Sequence, residues 1–250
     1  MFGAPKICRD DKSDYVLYYQ PPGTTSPPIG FQAGNIPENG CLCVSIDPAI
    51  KNFGIRIENR LANNVITPLY FYRIDFTKAY PAPEETKPKT GKKPKTEIAR
   101  VNPQILDAIL QLFIQLFPIL KQCRLVVIER QPPVNYQSTR LFQHILTWFL
   151  TMVGQFDYPC WIYDVNSGLK GEIFGAPKGL TYNQLKAWDI DKALAVLEQR
   201  GDQQSIAVIK HHRGKTKTKS DDLADTVIQL EALIIRLGGR SLCYPTSLQT

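Results

Sequence analysis

Four acidic residues stand where carboxylates can converge on a metal ion: Asp47, Glu129, Asp222 and Asp225. Asp47 closes the apolar run Cys41-Leu-Cys-Val-Ser-Ile-Asp47, and Glu129 closes Leu125-Val-Val-Ile-Glu129, so each is placed at the end of a buried strand. Asp222 and Asp225 are three residues apart at the start of a helical segment, which makes them neighbours on one face. Four converging carboxylates repel unless divalent cations neutralise them, and hard oxygen ligands suit Mg²⁺, with Mn²⁺ able to substitute. Two such ions about 3.5–4 Å apart activate a water and stabilise the leaving 3′-oxygen of a phosphodiester. The chemistry these residues point to is metal-dependent phosphodiester hydrolysis.

Each acid has a plainer explanation. Asp47 precedes Pro48 and can simply open a turn. Ser220 is a natural helix N-cap, and acids in the first turn complement the helix dipole, which accounts for Asp221 and leaves it outside the site. The plain explanations fit Asp225 and Glu129 less well. Asp225 lies a turn into the helix among Leu223, Ala224, Val227 and Ile228, and Glu129 ends a central strand where an acid is almost never buried alone. Arg130, adjacent on that strand, points to the opposite face and is a poor partner for it.

The elements that must position these groups follow from periodicity. Alternating or continuous apolar runs predict strands at 41–47, 53–58 and 65–76, an antiparallel meander with Asn63-Asn64 at its second turn. Helices are expected at 97–122, 138–155 and 182–199, strands at 125–129 and 161–165, and a short strand at 205–209. A cationic loop follows, then a last helix over 221–237 capped by Gly238-Gly239. A meander feeding strand-helix-strand units gives an α/β fold, a mixed sheet flanked by helices. Residues 1–40, rich in Pro and Gly, read as an irregular extension, and 41–240 as one domain. Within that domain, about 78–96 is a flexible Lys- and Pro-rich insertion, and 241–250 is a tail.

The formal net charge of the 250 residues is +7, which favours a polyanionic partner through counterion release. The cations cluster in Lys210-His-His-Arg213-Gly-Lys215-Thr-Lys217-Thr-Lys219, next to the Asp222 helix, and suit phosphate contacts. His211 and His212 are read as phosphate or solvent contacts. The six cysteines form neither a zinc knuckle nor a Cys-x-x-Cys pair, and Cys41 and Cys43 are expected to be small buried hydrophobes on one strand face. No stretch suggests a membrane span. The first 14 residues, with Asp10, Asp11 and Asp14, read as neither a secretory signal nor a transit peptide, so an intracellular setting is expected.

The ordered set of motifs resembles the RuvC-like Holliday-junction resolvases, in the branch that holds the poxvirus-type and mitochondrial enzymes. Its pieces are Ser45-Ile-Asp47-Pro-Ala-Ile-Lys51-Asn52-Phe-Gly54, Val127-Ile-Glu129-Arg-Gln131 and Ser220-Asp-Asp222-Leu-Ala-Asp225-Thr, spread over 41–237. The resemblance implies an RNase H-like mixed five-stranded sheet, a homodimer, Mg²⁺ dependence and paired symmetric cuts in four-way DNA. It assigns the metal to Asp47, Glu129, Asp222 and Asp225. Val165-Asn-Ser-Gly-Leu-Lys170-Gly is similar to the family segment in which a lysine approaches the site, which makes Lys170 a fifth candidate, though an exposed loop lysine reads equally well. Lys51, Lys210, Arg213, Lys215, Lys217 and Lys219 are the candidate DNA contacts. The branch favours a viral replication compartment. A nuclease for RNA–DNA hybrids or other branched DNA, and a non-catalytic DNA-binding protein, remain alternatives to a junction resolvase.

Overall fold

The computed structural model describes residues 15–19, 40–61, 65–79, 101–215 and 221–237. The Asn63-Asn64 turn, most of the 78–96 insertion, Lys217, Lys219, Ser220, the Gly238-Gly239 cap and the 241–250 tail lie outside them.

The strands are β1 Tyr15–Tyr19, β2 Cys41–Asp47, β3 Phe53–Arg60, β4 Ile66–Ile74, β5 Cys123–Glu129 and β6 Trp161–Val165. The helices are α1 Phe76–Ala79, α2 Pro103–Leu120, α3 Tyr136–Met152, α4 Gly168–Phe174, α5 Tyr182–Gln199, α6 Gln203–Lys215 and α7 Asp221–Arg236. One sheet runs in the order β1-β6-β5-β2-β3-β4. The meander β2-β3-β4 is antiparallel, and β5 and β6 add in parallel beyond β2. This is the expected mixed five-stranded sheet, joined by a sixth strand. Within the extension expected to be irregular, β1 pairs antiparallel with β6, because Tyr15-Val-Leu-Tyr-Tyr19 is a β-prone run ahead of the Pro/Gly stretch.

The sheet separates two apolar layers. On one face α2 and α3 supply Ile105, Ile109, Phe113, Leu116, Leu141, Ile145 and Phe149, packed on Val44, Ile46, Val126 and Ile128. On the other, α4 to α7 supply Leu169, Ile190, Ala193, Ile206, Ile209, Val227 and Ile228, packed on Cys43, Leu125, Val127 and Tyr163. Alternation of side chains along a strand decides what each face receives. Because Cys41 and Cys43 face the α4–α7 layer, Asp47 faces it too; because Leu125 and Val127 do, so does Glu129. Both cysteines are buried and unpaired, as expected.

Three expectations change. Residues 203–215 form a helix where a strand and loop were predicted. The Asp202 side chain caps its start by accepting from the Ser205 N–H at 2.9 Å, and Ile206 and Ile209 turn to the core at helical spacing. A five-residue apolar run is too short to separate the two periods. Secondly, α2 starts at Pro103 with Asn102 as its cap, later than predicted, since Asn-Pro sets both the cap and the first helical position. Thirdly, α2 is long and apolar enough by composition to cross a membrane, the one such helix among the described residues, yet its buried stripe is part of the core.

Candidate active site

Asp47 and Glu129 come together because β2 and β5 are parallel neighbours in register, Ile46 opposite Ile128, so both strands end side by side at their carboxyl ends. This is the edge at which open α/β sheets bind ligands. The third group arrives on α7, which is buried along almost its whole length and lies across the sheet. Two local features fix its height. Gln229 donates to Ser45 Oγ at 2.7 Å and to the Ile46 carbonyl at 3.1 Å, tying α7 to the strand that ends in Asp47. Gly54, opposite Asp47 in the β2–β3 pair, has no side chain to hold the helix off. A Cβ there would lie 2.6 Å from the Asp222 carbonyl oxygen and 3.0 Å from Thr226 Cγ2.

The result is a buried trio, Asp47, Glu129 and Asp225, whose carboxylate oxygens lie within 4.8 Å of one another. Asp47 is 6%, Glu129 7% and Asp225 4% exposed. Asp222 lies beside the trio and outside it, one oxygen buried without a hydrogen-bond partner. Arg73 of β4 stands 3.8 Å from that same oxygen and is itself held by Asn52 at 2.8 Å. Gln131 makes a long contact of 3.5 Å to Asp47.

Burial pushes the Asp47 carboxyl well above the ordinary range, and the charges of Glu129, Asp225 and Asp222 push it further. The Asp222 carboxyl is pushed up to about 7, first by burial and then by Asp221 and Asp225, with Lys186 and Arg73 opposing. Negative charge here exceeds what the surrounding cations balance. That excess, together with an all-carboxylate donor set and an orphaned buried oxygen, fits a hard divalent cation.

Lys170 is no exposed loop residue. It sits in α4, 4% exposed, with Nζ 2.6 Å from Asp225 Oδ1 and 3.4 Å from Glu129 Oε1. These two carboxylates hold its ammonium charged well above the ordinary lysine range despite burial. Arg130, which follows β5, pairs with Asp164 of β6 at 2.6 Å. Asp221 is more than a dipole partner: it forms a short ion pair with Lys186 of α5, whose Nζ is also 4.0 Å from Asp225 Oδ2. Asp189, also on α5, is 6% exposed, and its carboxyl is pushed up to about 7 by burial and by Asp225. Lys186, Asp189 and Arg73 carry no local signature in the sequence; only the packing of α5 and β4 brings them here.

Of the expected DNA contacts, Lys51 is exposed in the turn between β2 and β3, and Lys210 is exposed on α6. Arg213 and Lys215 lie in the last turn of α6, which leads through 216–220 into α7.

No family model matches the chain. An uncharacterized protein, 170L, of invertebrate iridescent virus 6 is 27% identical over 128 residues, covering 44% of this chain and 50% of that protein. The match thus spans about half the length of the relative. Among solved structures, the yeast mitochondrial Holliday junction resolvase superposes with a TM-score of 0.50 at 13% identity, over 84% of this chain and 86% of that one. The fowlpox virus resolvase, solved with a Holliday junction substrate, gives a TM-score of 0.47 at 15% identity, over 78% of this chain and 98% of that one. With the mixed sheet, its strand order and the overlying α7, the likeness to the yeast structure gives the chain the RNase H-like fold of the RuvC-like Holliday-junction resolvases.

Proposed function

We propose that the protein is a divalent-metal-dependent endonuclease that resolves four-way DNA junctions by paired, symmetric cuts. The observation that carries this reading is the buried carboxylate trio at the strand ends under α7, in a resolvase-type fold. Asp47, Glu129 and Asp225 would hold Mg²⁺, or Mn²⁺ in its place, with Asp222 completing the set. When bound, such ions supply Lewis acidity to phosphodiester oxygens and lower the pKa of a coordinated water.

The protein's own groups do the rest. Gln131 steadies Asp47, and Gln229 keeps α7, and with it Asp225, in register with β2. Arg73 brings positive charge beside Asp222, where the scissile phosphate would be oriented and its developing charge stabilised, while Lys170 neutralises Asp225 and Glu129 from within. Lys51, Lys210, Arg213, Lys215, Lys217 and Lys219 are proposed to contact the phosphates of the junction arms. Paired cuts need two sites, so the working species is a homodimer; the viral relative supports a viral setting.

The test is a cleavage assay with purified protein, Mg²⁺ and a synthetic four-way junction, run beside linear duplex and an RNA–DNA hybrid. Paired cuts in the junction that vanish with Asp47→Asn support the reading. Preference for the hybrid, or cutting that survives Asp47→Asn, overturns it.

A further inference from the structure

The ammonium of Lys170 stands where a metal would be balanced. It bridges Asp225 at 2.6 Å and Glu129 at 3.4 Å, two of the three carboxylates of the trio, and it is 4% exposed. Its backbone has little freedom, because Leu169 and Phe174 of the same short helix are buried in the core. Only the four-carbon stem can swing. A buried ammonium that gives up its carboxylates must find another anion or bear a large desolvation cost. Asp189 is buried about one turn along α5 from Lys186, whose Nζ is 4.0 Å from Asp225 Oδ2, and has no part in the mechanism above. Lys186 is otherwise engaged, since its ammonium is taken by Asp221.

We propose that Lys170 is a built-in competitor for the metal, and that Asp189 receives its ammonium when a cation takes the trio. Metal binding is then an exchange: the divalent ion enters as Lys170 moves from Asp225 and Glu129 toward Asp189. Without metal, Lys170 quenches the repulsion among the acids. With metal, the Lys170–Asp189 pair keeps the displaced charge satisfied. Apparent affinity is reduced by the fraction of molecules in which Lys170 holds the trio. The inference rests on the reading of the trio as a metal site, and it does not depend on the DNA substrate.

Isothermal titration of the full chain with MnCl₂, without DNA, tests it. Lys170→Gln should bind manganese about tenfold or more tightly than the unaltered protein, as expected when a site occupied most of the time is freed. Lys170→Arg, which keeps the charge, should show no such gain, and Lys170→Met replaces the Gln variant if that fails to fold. Asp189→Asn should weaken binding by about threefold or more, and this loss should disappear when Lys170→Gln is added, because Asp189 acts only through Lys170. Lys186→Gln is the control for charge alone.

Unchanged or weaker binding by Lys170→Gln overturns the exchange. So do equal gains from Lys170→Gln and Lys186→Gln. An Asp189→Asn loss that persists beside Lys170→Gln removes Asp189 from the proposal. If no variant binds manganese, the metal reading of the trio falls as well. The expected binding pattern in a protein that leaves junctions uncut would instead overturn only the nuclease assignment.

Discussion

At the scale of single residues, Asp47 sets function against stability. Its carboxyl is held well above the ordinary range by burial and by three neighbouring acids, so the folded chain binds that proton more tightly than the unfolded chain does. The sign follows: stability is greatest at low pH and falls as pH rises above the unfolded value, where the group must ionise inside the cluster. Asp47→Asn removes that burden. In metal-free buffer at pH 8 the variant should melt higher than the unaltered protein, by about 2–4 °C for each kcal/mol relieved, while the proposed junction cleavage is lost. A lower melting temperature would contradict the account of Asp47 as a strained acid.

Asp222 carries a second residue-scale expectation. With its carboxyl pushed up to about 7, it is largely protonated at pH 6 and ionised at pH 8. Only the ionised form is a metal ligand, so manganese affinity should rise through this window. A titration flat between pH 6 and 8 would remove Asp222 from the ligand set. Glu129 and Asp225 were legible in the sequence because one ends a buried strand and the other interrupts an apolar helix face, whereas Asp47 and Asp222 were legible mainly through the order of the motifs. The burial of Lys170 was not, because its segment has the look of a loop and its partners are 41 and 55 residues away.

At the scale of elements, α7 is positioned by steric permission and by charge. The permission is Gly54. Gly54→Ala places a methyl against the backbone of Asp222, which cannot rotate away. Destabilisation of about 1–3 kcal/mol is expected, measured by denaturant unfolding, together with weaker metal binding as Asp222 shifts. The charge is an ion cluster that joins β3, α7 and the α5–α6 turn. Glu58 takes Arg56 at 2.5 Å and Arg60 at 2.6 Å; Arg56 reaches Asp202 at 2.9 Å, and Arg60 reaches Glu231 at 2.8 Å.

These arginines hold the Glu58 carboxyl far below its ordinary value of 4.5 although burial opposes them. Its contribution is therefore full above about pH 4.5 and is lost as pH falls below it. Glu58→Gln leaves buried guanidinium groups under-compensated and should cost about 3–5 kcal/mol at neutral pH, by the same unfolding measurement. The alternation Arg56-Ile-Glu58-Asn-Arg60 looks, in sequence, like a solvent-facing strand side. Only the arrival of α7 and Asp202 turns that side into an interior, which is why the cluster was not foreseen.

At the scale of the whole molecule, the strand-and-helix grammar gave the architecture well: a meander, two parallel additions and a closing helix. Contacts between distant segments were beyond it, because no local period encodes them. The clearest case is β1. The extension before residue 40 was set aside as irregular, yet its strand lies along the outer side of β6, whose residues are all buried. An apolar strand left at the border of a sheet is a template for pairing with other chains. Residues 15–19 cover that border by pairing with β6, and are expected to guard it against self-assembly. A chain lacking residues 1–39 should keep its carboxylate trio and lose its colloidal good behaviour, scattering light more strongly as concentration rises. If it stays as dispersed as the full chain, some other segment shields β6. The same reasoning says where an expression tag belongs: an N-terminal fusion pressed close to residue 15 risks prising the guard strand loose.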